Sequence, residues 1–444
     1  MSARLSMVLW SAMAALILAL LIRNILAIPV LAPLDPNEGW NAAHALSLMS
    51  GRALYPRADS FSGSLMVNNY PPLSFYLVGA LARFTGDAVI AGRILALLSF
   101  LGTCAGIALV LQQMACGLRA CLIAALFFAA TLLTASDYVG MDDPQLLGHA
   151  VQLAALLLLL RGRTLVAALM FAASLFLKHN LLALPFAAAA WLFGRDRRQA
   201  WRFLVCGFAA TGLGLILFRL SYGANLLALL GSPRLFSLAN IRSGVTHLWW
   251  AVLPLAALAV LRSPWKGFCL NYAGFALLFG LIFSAGDGVD TNAFFDVAIA
   301  CALALGLASE DASLLAAASA VPLLLFLILN FHDNNFFFTR DFAGQSARDI
   351  AFLKSRPGPV LCDQLSLCLW AGKDAEVDVF NVGEQIKTGK RDPEALSGMI
   401  AARHFAVLQL QDPGAMGPSV RVSIEKNYRL HHSDDNGNFL TPLF

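Results

Sequence analysis

Long apolar runs broken by short polar stretches fill the first 330 residues. A helix rising about 1.5 Å per residue needs roughly 20 apolar residues to cross a hydrocarbon layer about 30 Å thick. On that measure the chain predicts about eleven spanning helices, at residues 5–31, 88–113, 118–135, 144–160, 164–179, 181–194, 200–220, 245–261, 267–284, 291–308 and 311–331. The first run is longer than the apolar region of a secretory signal and has no small-x-small site after it, so it reads as an uncleaved anchor. Residues 32–87 form a loop too long to be a simple connection. Within it, Asp35-Pro36-Asn37-Glu38 opens a helix, with Asp35 as cap, Pro36 at the first helical position, and Trp40, Ala43, Leu46 and Leu48 supplying an apolar side. The stretch after Asn68-Asn69-Tyr70-Pro71-Pro72-Leu73 is too short to cross and predicts a re-entrant or interfacial helix.

The pattern changes near residue 340. The last 104 residues hold 24 of the 58 Asp, Glu, Lys and Arg side chains, and their periodicity predicts a small α/β unit. It comprises a helix at 347–353, strands at 358–362, 376–381 and 405–410, and a helix at 393–402. The expected fold is therefore an all-α polytopic membrane bundle, residues 1–340, followed by a small α/β domain, residues 341–444.

Charge supplies a direction. Placing the N-terminus in the cytoplasm puts Arg4, Arg119, Arg161, Arg163, Arg195, Arg197, Arg198, Arg202, Arg262 and Lys266 inside, as the retention of positive loops requires. The same placement leaves Asp196, Glu310 and Asp311 inside. It sends Asp35, Glu38, Asp59, Asp87, Asp137, Asp142, Asp143, Asp287, Asp290, Asp296 and Asp333 to the outer face. Acids carry little weight in insertion, so their gathering points to function. An odd number of spans puts the C-terminal unit outside a plasma membrane, the inner membrane of a bacterium.

Composition narrows the function classes. The chain is 59% hydrophobic and 13% charged, against roughly 25% charged in a soluble domain. A net charge of +4 without a basic cluster excludes a nucleic-acid surface. Six cysteines lie in or beside apolar segments with no metal spacing, whereas Cys362 and Cys368 sit in the polar region, where an oxidising compartment could join them. No phosphate-cradling glycine loop, nucleophile elbow or internal repeat is present.

The candidate chemistry lies at the outer helix ends. Asp142 and Asp143 are adjacent, and in a partly dry site their repulsion raises a pKa unless a cation or donor compensates, an arrangement suited to a general base or to a divalent ion such as Mg or Mn. Lys178-His179-Asn180 interrupts an apolar run, and a cation at that depth implies a partner or a wet cavity. Arg219, Tyr222, Arg234 and Arg242 mark another outer segment; arginine forks match phosphate oxygens, although snorkelling at a helix end explains such residues equally well. Asn292 and Asp296 open the helix after the acidic turn Gly286–Asn292.

In order and spacing these stretches resemble the GT-C superfamily of membrane glycosyltransferases, in particular the bacterial branch of protein mannosyltransferases, aminoarabinose transferases and galacturonosyltransferases of the Rgt type, a group similar to glycosyltransferase family 39. The matching stretches are Asp35-Pro36-Asn37-Glu38-Gly39-Trp40, Tyr70-Pro71-Pro72-Leu73, Gly86-Asp87 with Gly92-Arg93, Met141-Asp142-Asp143-Pro144, Lys178-His179-Asn180 with Pro185, and Asn292 to Asp296. The resemblance implies inverting transfer of a sugar from a polyprenyl-phosphate carrier to a lipid, glycan or protein acceptor on the extracytoplasmic side. It implies a base at Asp35, with Glu38 as second choice, and a second acid at Asp142 or Asp143, which are also the residues able to hold a divalent cation. Some relatives carry Lys or Glu immediately before the proline of the Tyr-x-Pro motif, where this chain has Asn69-Tyr70. Lys178, Arg219 and Arg242 are then the candidate donor-phosphate cations, and Asn69, Tyr70, His179 and Asn292 the candidate substrate-binding groups. The rival class is a flippase of lipid-linked sugars, which predicts ionisable groups at the bilayer midplane and a repeat.

Overall fold

A computed structural model describes residues 2–56, 64–309, 312–331 and 341–443; Asp59, Glu310, Asp311, Asp333 and the expected domain joint at residue 340 lie outside them. The described chain begins with α1 (Ser2–Ala27), α2 (Pro36–Met49) and α3 (Leu73–Thr85). The bundle continues through α4 (Ala88–Gln113), α5 (Leu118–Leu133), α6 (Gln145–Leu160), α7 (Thr164–Leu175), α8 (Ala183–Phe193) and α9 (Arg197–Tyr222). It closes with α10 (Asn225–Leu230), α11 (Leu238–Thr246), α12 (Val252–Val260), α13 (Lys266–Ser284), α14 (Phe295–Ala308) and α15 (Ser313–Leu329).

Among the described residues, six helical stretches are long and apolar enough to cross a bilayer: Arg4–Ala27, Ala88–Gln113, Arg197–Tyr222, Leu238–Val260, Lys266–Ser284 and Thr291–Ala308. This is fewer than the eleven expected. The other five expected spans correspond to α5, α6, α7, α8 and α15, which have 11 to 17 residues; at about 1.5 Å per residue the shortest reach little over half of the hydrocarbon thickness. The two runs flanking Lys178 lose their inner ends to a turn, which shortens both.

Burial sorts the helices. Every residue of α14 is buried, so its apolar sides all meet protein and it forms the centre of the bundle. On α9 only Ala200 and Phe203 are buried, while Leu213, Ile216, Leu217 and Leu220 are exposed. An apolar surface of that extent on a peripheral helix belongs against lipid.

The C-terminal unit comprises α16 (Phe342–Ser355), β1 (Val360–Cys362), α17 (Leu365–Trp370), α18 (Val379–Lys387), α19 (Glu394–Ala401), β2 (Val407–Leu410), α20 (Pro418–Asn427), β3 (Tyr428–Asp434) and β4 (Gly437–Pro442). Its sheet has the order β1-β2-β4-β3, with β1 parallel to β2 and the other pairs antiparallel. The strand expected at 376–381 is a helix start instead. Asp378 accepts a hydrogen bond from the Asn381 amide and caps α18, so the Val-Asp-Val-Phe alternation turns helical after one isolated bridge between Val377 and Leu65. Cys362 and Cys368 are joined in a disulfide that ties β1 to α17.

This unit packs directly on the first loop. A Cβ on Gly39 would lie 2.2 Å from the Ser366 nitrogen, so the absence of a side chain there lets α17 rest on α2. Buried residues of α2, α3 and the sheet form one apolar cluster, including Trp40, Phe75, Leu367, Phe405 and Phe439.

Candidate active site

The segment leading into α2 is fixed before any reactive group appears. Arg93, wholly buried on α4, donates from Nε to Glu38 Oε2 at 2.8 Å and from Nη2 to Oε1 at 2.6 Å. Its remaining donors reach the carbonyls of Ala27 at 3.0 Å, Val30 at 2.7 Å and Ala32 at 2.6 Å. Glu38 also accepts from the Leu34 amide. Both Glu38 oxygens are therefore occupied, and the residue anchors the loop; it does not line the cavity described below.

Asp35 emerges from that anchor as the cap of α2, accepting from the Asn37 amide at 2.8 Å. Burial pushes its pKa up to about 7, the Asn37 hydrogen bond opposes this, and the nearby charges of Asp137, Glu38 and Asp143 push it further up. Asp35 lines a cavity of about 280 Å³ together with Asn37, Trp40, Asn69, Tyr70, Tyr138, Arg234, Asp290 and Asn292 from the bundle side. Asp363, Leu365, Asp378, Val379, Phe380 and Asn381 line it from the C-terminal unit.

Two networks shape the walls. Trp40 donates from Nε1 to Asp378 Oδ2 at 2.8 Å, and Asn381 donates to the same oxygen at 2.7 Å. Asn69 donates to Asn381 Oδ1 at 3.2 Å, so both sides of the cavity are hydrogen-bonded to each other. Burial raises the pKa of Asp378 to about 6 despite those donors. In the second network Lys178 Nζ sits 2.9 and 2.7 Å from the two oxygens of Asp143 and 4.5 Å from the centre of the Tyr70 ring. Asn37 adds a 2.7 Å hydrogen bond to Asp143 Oδ2, and the Gln145 amide adds one to Oδ1.

The adjacent acids thus have different surroundings. Asp143 is surrounded by donors, with the Lys178 ammonium in the compensating position where a divalent ion was considered from the sequence. Asp142 is buried under Gly92, where a Cβ would approach its Cγ to 2.1 Å, and its Oδ2 has no partner. Burial holds the Asp142 pKa well above the ordinary carboxylate range, and the charges of Glu38 and Asp143 add to the effect. The backbone carbonyl of Asp142 accepts from Asn41 Nδ2 at 2.7 Å.

The cations are distributed differently from expectation. Arg219 and Arg242 are exposed on α9 and α11 and do not line the cavity; His179 is exposed on the turn beside Lys178. Arg234 does line it, held by a 2.8 Å hydrogen bond from Nη1 to the Asp287 carbonyl and by the Phe380 ring, 5.1 Å away. Its sequence signal was membership of the Arg219–Arg242 segment, where nothing local separates a cavity arginine from a snorkelling one. The contributions of Asp363, Asp378, Phe380 and Asn381 had no local signal, because only packing brings residues more than 300 positions from Asp35 to the same space.

A separate group able to coordinate a divalent ion lies in the C-terminal sheet. Asp349, His432 and Asp434 each offer a ligand atom, all within 4.8 Å of one another; Asp349 is buried and the other two are half-buried. None of the three lines the cavity.

No protein-family model matches the chain, and no curated protein matches it by sequence. Solved structures do. ArnT from Cupriavidus metallidurans in the apo state superimposes with a TM-score of 0.63 at 12% identity, over 96% of this chain and 97% of that one. The same protein bound to undecaprenyl phosphate gives 0.61 at 13% identity, over 96% and 97%. The oligosaccharyltransferase of Archaeoglobus fulgidus, tethered to an acceptor peptide, gives 0.55 at 13% identity over 97% of this chain and 74% of that one. The chain therefore shares its fold with these structures, in a bundle with several helices long and apolar enough to cross a membrane.

Proposed function

We propose that this protein transfers a sugar from a polyprenyl-phosphate carrier to an extracytoplasmic acceptor, with inversion at the anomeric carbon. The observation that carries the reading is one cavity holding Asp35, with a pKa of about 7, and Arg234. Asp35 as carboxylate takes the proton of the acceptor hydroxyl while the hydroxyl oxygen forms the new bond to the anomeric carbon. The bond from that carbon to the phosphate oxygen breaks, and the electron pair leaves with the phosphate. Arg234 offers charged donors to the departing phosphate, and charge developing in a water-poor site is stabilised more strongly than in water. A base with a pKa near the working pH combines availability with strength. The shared fold with ArnT bound to undecaprenyl phosphate supports a lipid-phosphate donor.

Asp143 and Lys178 do not line the cavity themselves but hold Asn37, which lines it at the start of α2, and the Asp142 carbonyl receives Asn41 behind it. Asn69, Tyr70 and Asn292 present amide and phenol groups suited to sugar hydroxyls. We also assign the five short helices as spans. Eleven spans place the C-terminal unit across the membrane from the N-terminus, over the cavity.

The test is transfer of labelled sugar from a synthetic polyprenyl-phosphate donor by the purified protein in lipid nanodiscs. Asp35→Asn is expected to lower kcat by about 100- to 10,000-fold. Full activity in that variant sinks the assignment of the base. Donor translocated but not consumed by the wild type replaces transfer with a flippase.

A further inference from the structure

The C-terminal hairpin carries an arrangement that transfer does not use. β3 and β4 pair Leu430 with Leu440 and His432 with Phe439, leaving His431 as an extra residue on β3. Such a bulge re-aims side chains. Here it brings His431 and His432, which an even strand would send to opposite faces, to 2.9 Å between their Nδ1 atoms.

Each member of the Asp349, His432 and Asp434 group has one polar atom held by a neighbour outside the group and turns the other towards the group, where His432 Nε2 and Asp349 Oδ1 are hydrogen-bonded to each other. Asn436 donates from Nδ2 to Asp349 Oδ2 at 2.7 Å, leaving Oδ1. The Asn436 amide donates to Asp434 Oδ1 at 2.9 Å, leaving Oδ2. His431 engages His432 Nδ1, leaving Nε2. The three remaining atoms are the ones that meet: His432 Nε2 lies 3.1 Å from Asp349 Oδ1 and 3.9 Å from Asp434 Oδ2. A tetrahedral zinc with ligands at about 2.1 Å places them about 3.4 Å apart. Outer hydrogen bonds that orient ligands in this way are the usual support of a metal site.

We propose that Asp349 Oδ1, His432 Nε2 and Asp434 Oδ2 bind one zinc-class divalent ion, which clips α16 to the β3–β4 hairpin. The imidazole selects zinc over magnesium, which prefers an all-oxygen shell. The half-buried sides of His432 and Asp434 leave room for water as the fourth ligand. This inference is independent of the transfer reaction, because the site and the cavity share no residue.

The experiment uses untagged full-length protein in nanodiscs, stripped with chelator and titrated with zinc chloride against a chromophoric chelator, with metal content measured by mass spectrometry. One zinc per chain is expected, undisturbed by millimolar magnesium chloride, with a rise in melting temperature. His432→Gln and Asp434→Asn should each weaken zinc at least tenfold and abolish that rise. His431→Ala, which removes only the orienting partner, should weaken it about 10- to 100-fold. Absence of zinc binding, binding unchanged in His432→Gln and Asp434→Asn, or displacement by magnesium overturns the proposal. X-ray absorption on zinc-loaded wild type decides the matter even if a variant fails to fold. One imidazole with oxygen neighbours is expected, and sulfur or several imidazoles would refute it.

Discussion

Replacing Arg93 by Met tests whether the loop before Asp35 is held as described. The wild-type guanidinium and the Glu38 carboxylate are both wholly buried and joined by two hydrogen bonds. Met keeps much of the apolar stem but removes the charge, leaving Glu38 with only the Leu34 amide and the carbonyls of Ala27, Val30 and Ala32 without their donor. Breaking a buried pair by deleting one partner costs about 3–5 kcal/mol, most of it from the charge left behind. Glu38→Gln is expected to cost less, about 1–3 kcal/mol, since the amide still accepts from Leu34 and the arginine keeps its carbonyl acceptors. Pairing Arg93→Met with Glu38→Met should recover part of the loss but not all, because those carbonyls stay unpaired. Unfolding midpoints in mixed dodecyl sulfate micelles, completed as a double-mutant cycle, measure these differences, and sugar transfer reports the effect on Asp35. A loss below about 1 kcal/mol in Arg93→Met would refute the anchoring argument, because no buried carboxylate deprived of its cation should be that cheap.

Other outcomes follow from the same geometry. If Asp35 is the base proposed above, it acts only when deprotonated, and with its pKa raised to about 7 kcat/KM should rise tenfold per pH unit below 7 and level off above it; a flat profile from pH 5 to 8 excludes this base. Gly92→Ala drives a Cβ into Asp142, and such overpacking should cost about 1–3 kcal/mol in the same unfolding measurement, whereas Gly102→Ala, with only an ordinary 3.6 Å contact, should be nearly silent. Trp40→Phe keeps a ring but removes the donor to Asp378, a charge-assisted bond worth about 1.5–3 kcal/mol; a loss is expected in melting and in KM, and an unchanged protein would argue against the cross-cavity network. Arg234→Gln should raise the KM for the donor and lower kcat, while Arg219→Gln, on the exposed face of α9, should leave both unchanged.

Much of this molecule is legible along the chain, and the reasons differ by feature. Hydrophobic runs reveal the helices because burial in lipid or protein demands apolar side chains at every turn, but they overstate length where a turn hides inside a run, as at Lys178. Asp35 is visible because a cap before Pro36 has a local signature. Asn69, Tyr70 and Asn292 stand out as polar groups at apolar helix ends, and all three reach the cavity. Glu38 carries the same surface signal as Asp35, yet its partner Arg93 lies 55 positions away, and only that contact distinguishes an anchor from a reactive acid. The alternation around Asp378 favours a strand until its carboxylate finds the Asn381 amide. The β3–β4 hairpin follows an Asp-Asn-Gly turn, but its outward face is too polar to read as a strand.

The strand order also sets a timetable. β4 lies inside the sheet, between β2 and β3, although it follows both of them in the chain. A ribosome that has made every membrane helix has therefore not yet produced a finished cavity, because the wall bearing Asp363, Asp378 and Phe380 rests on a sheet still open at its centre. Until residue 442 emerges, the nascent chain carries only the bundle side of the cavity. Copies terminated before that point would then lack one wall of the cavity altogether.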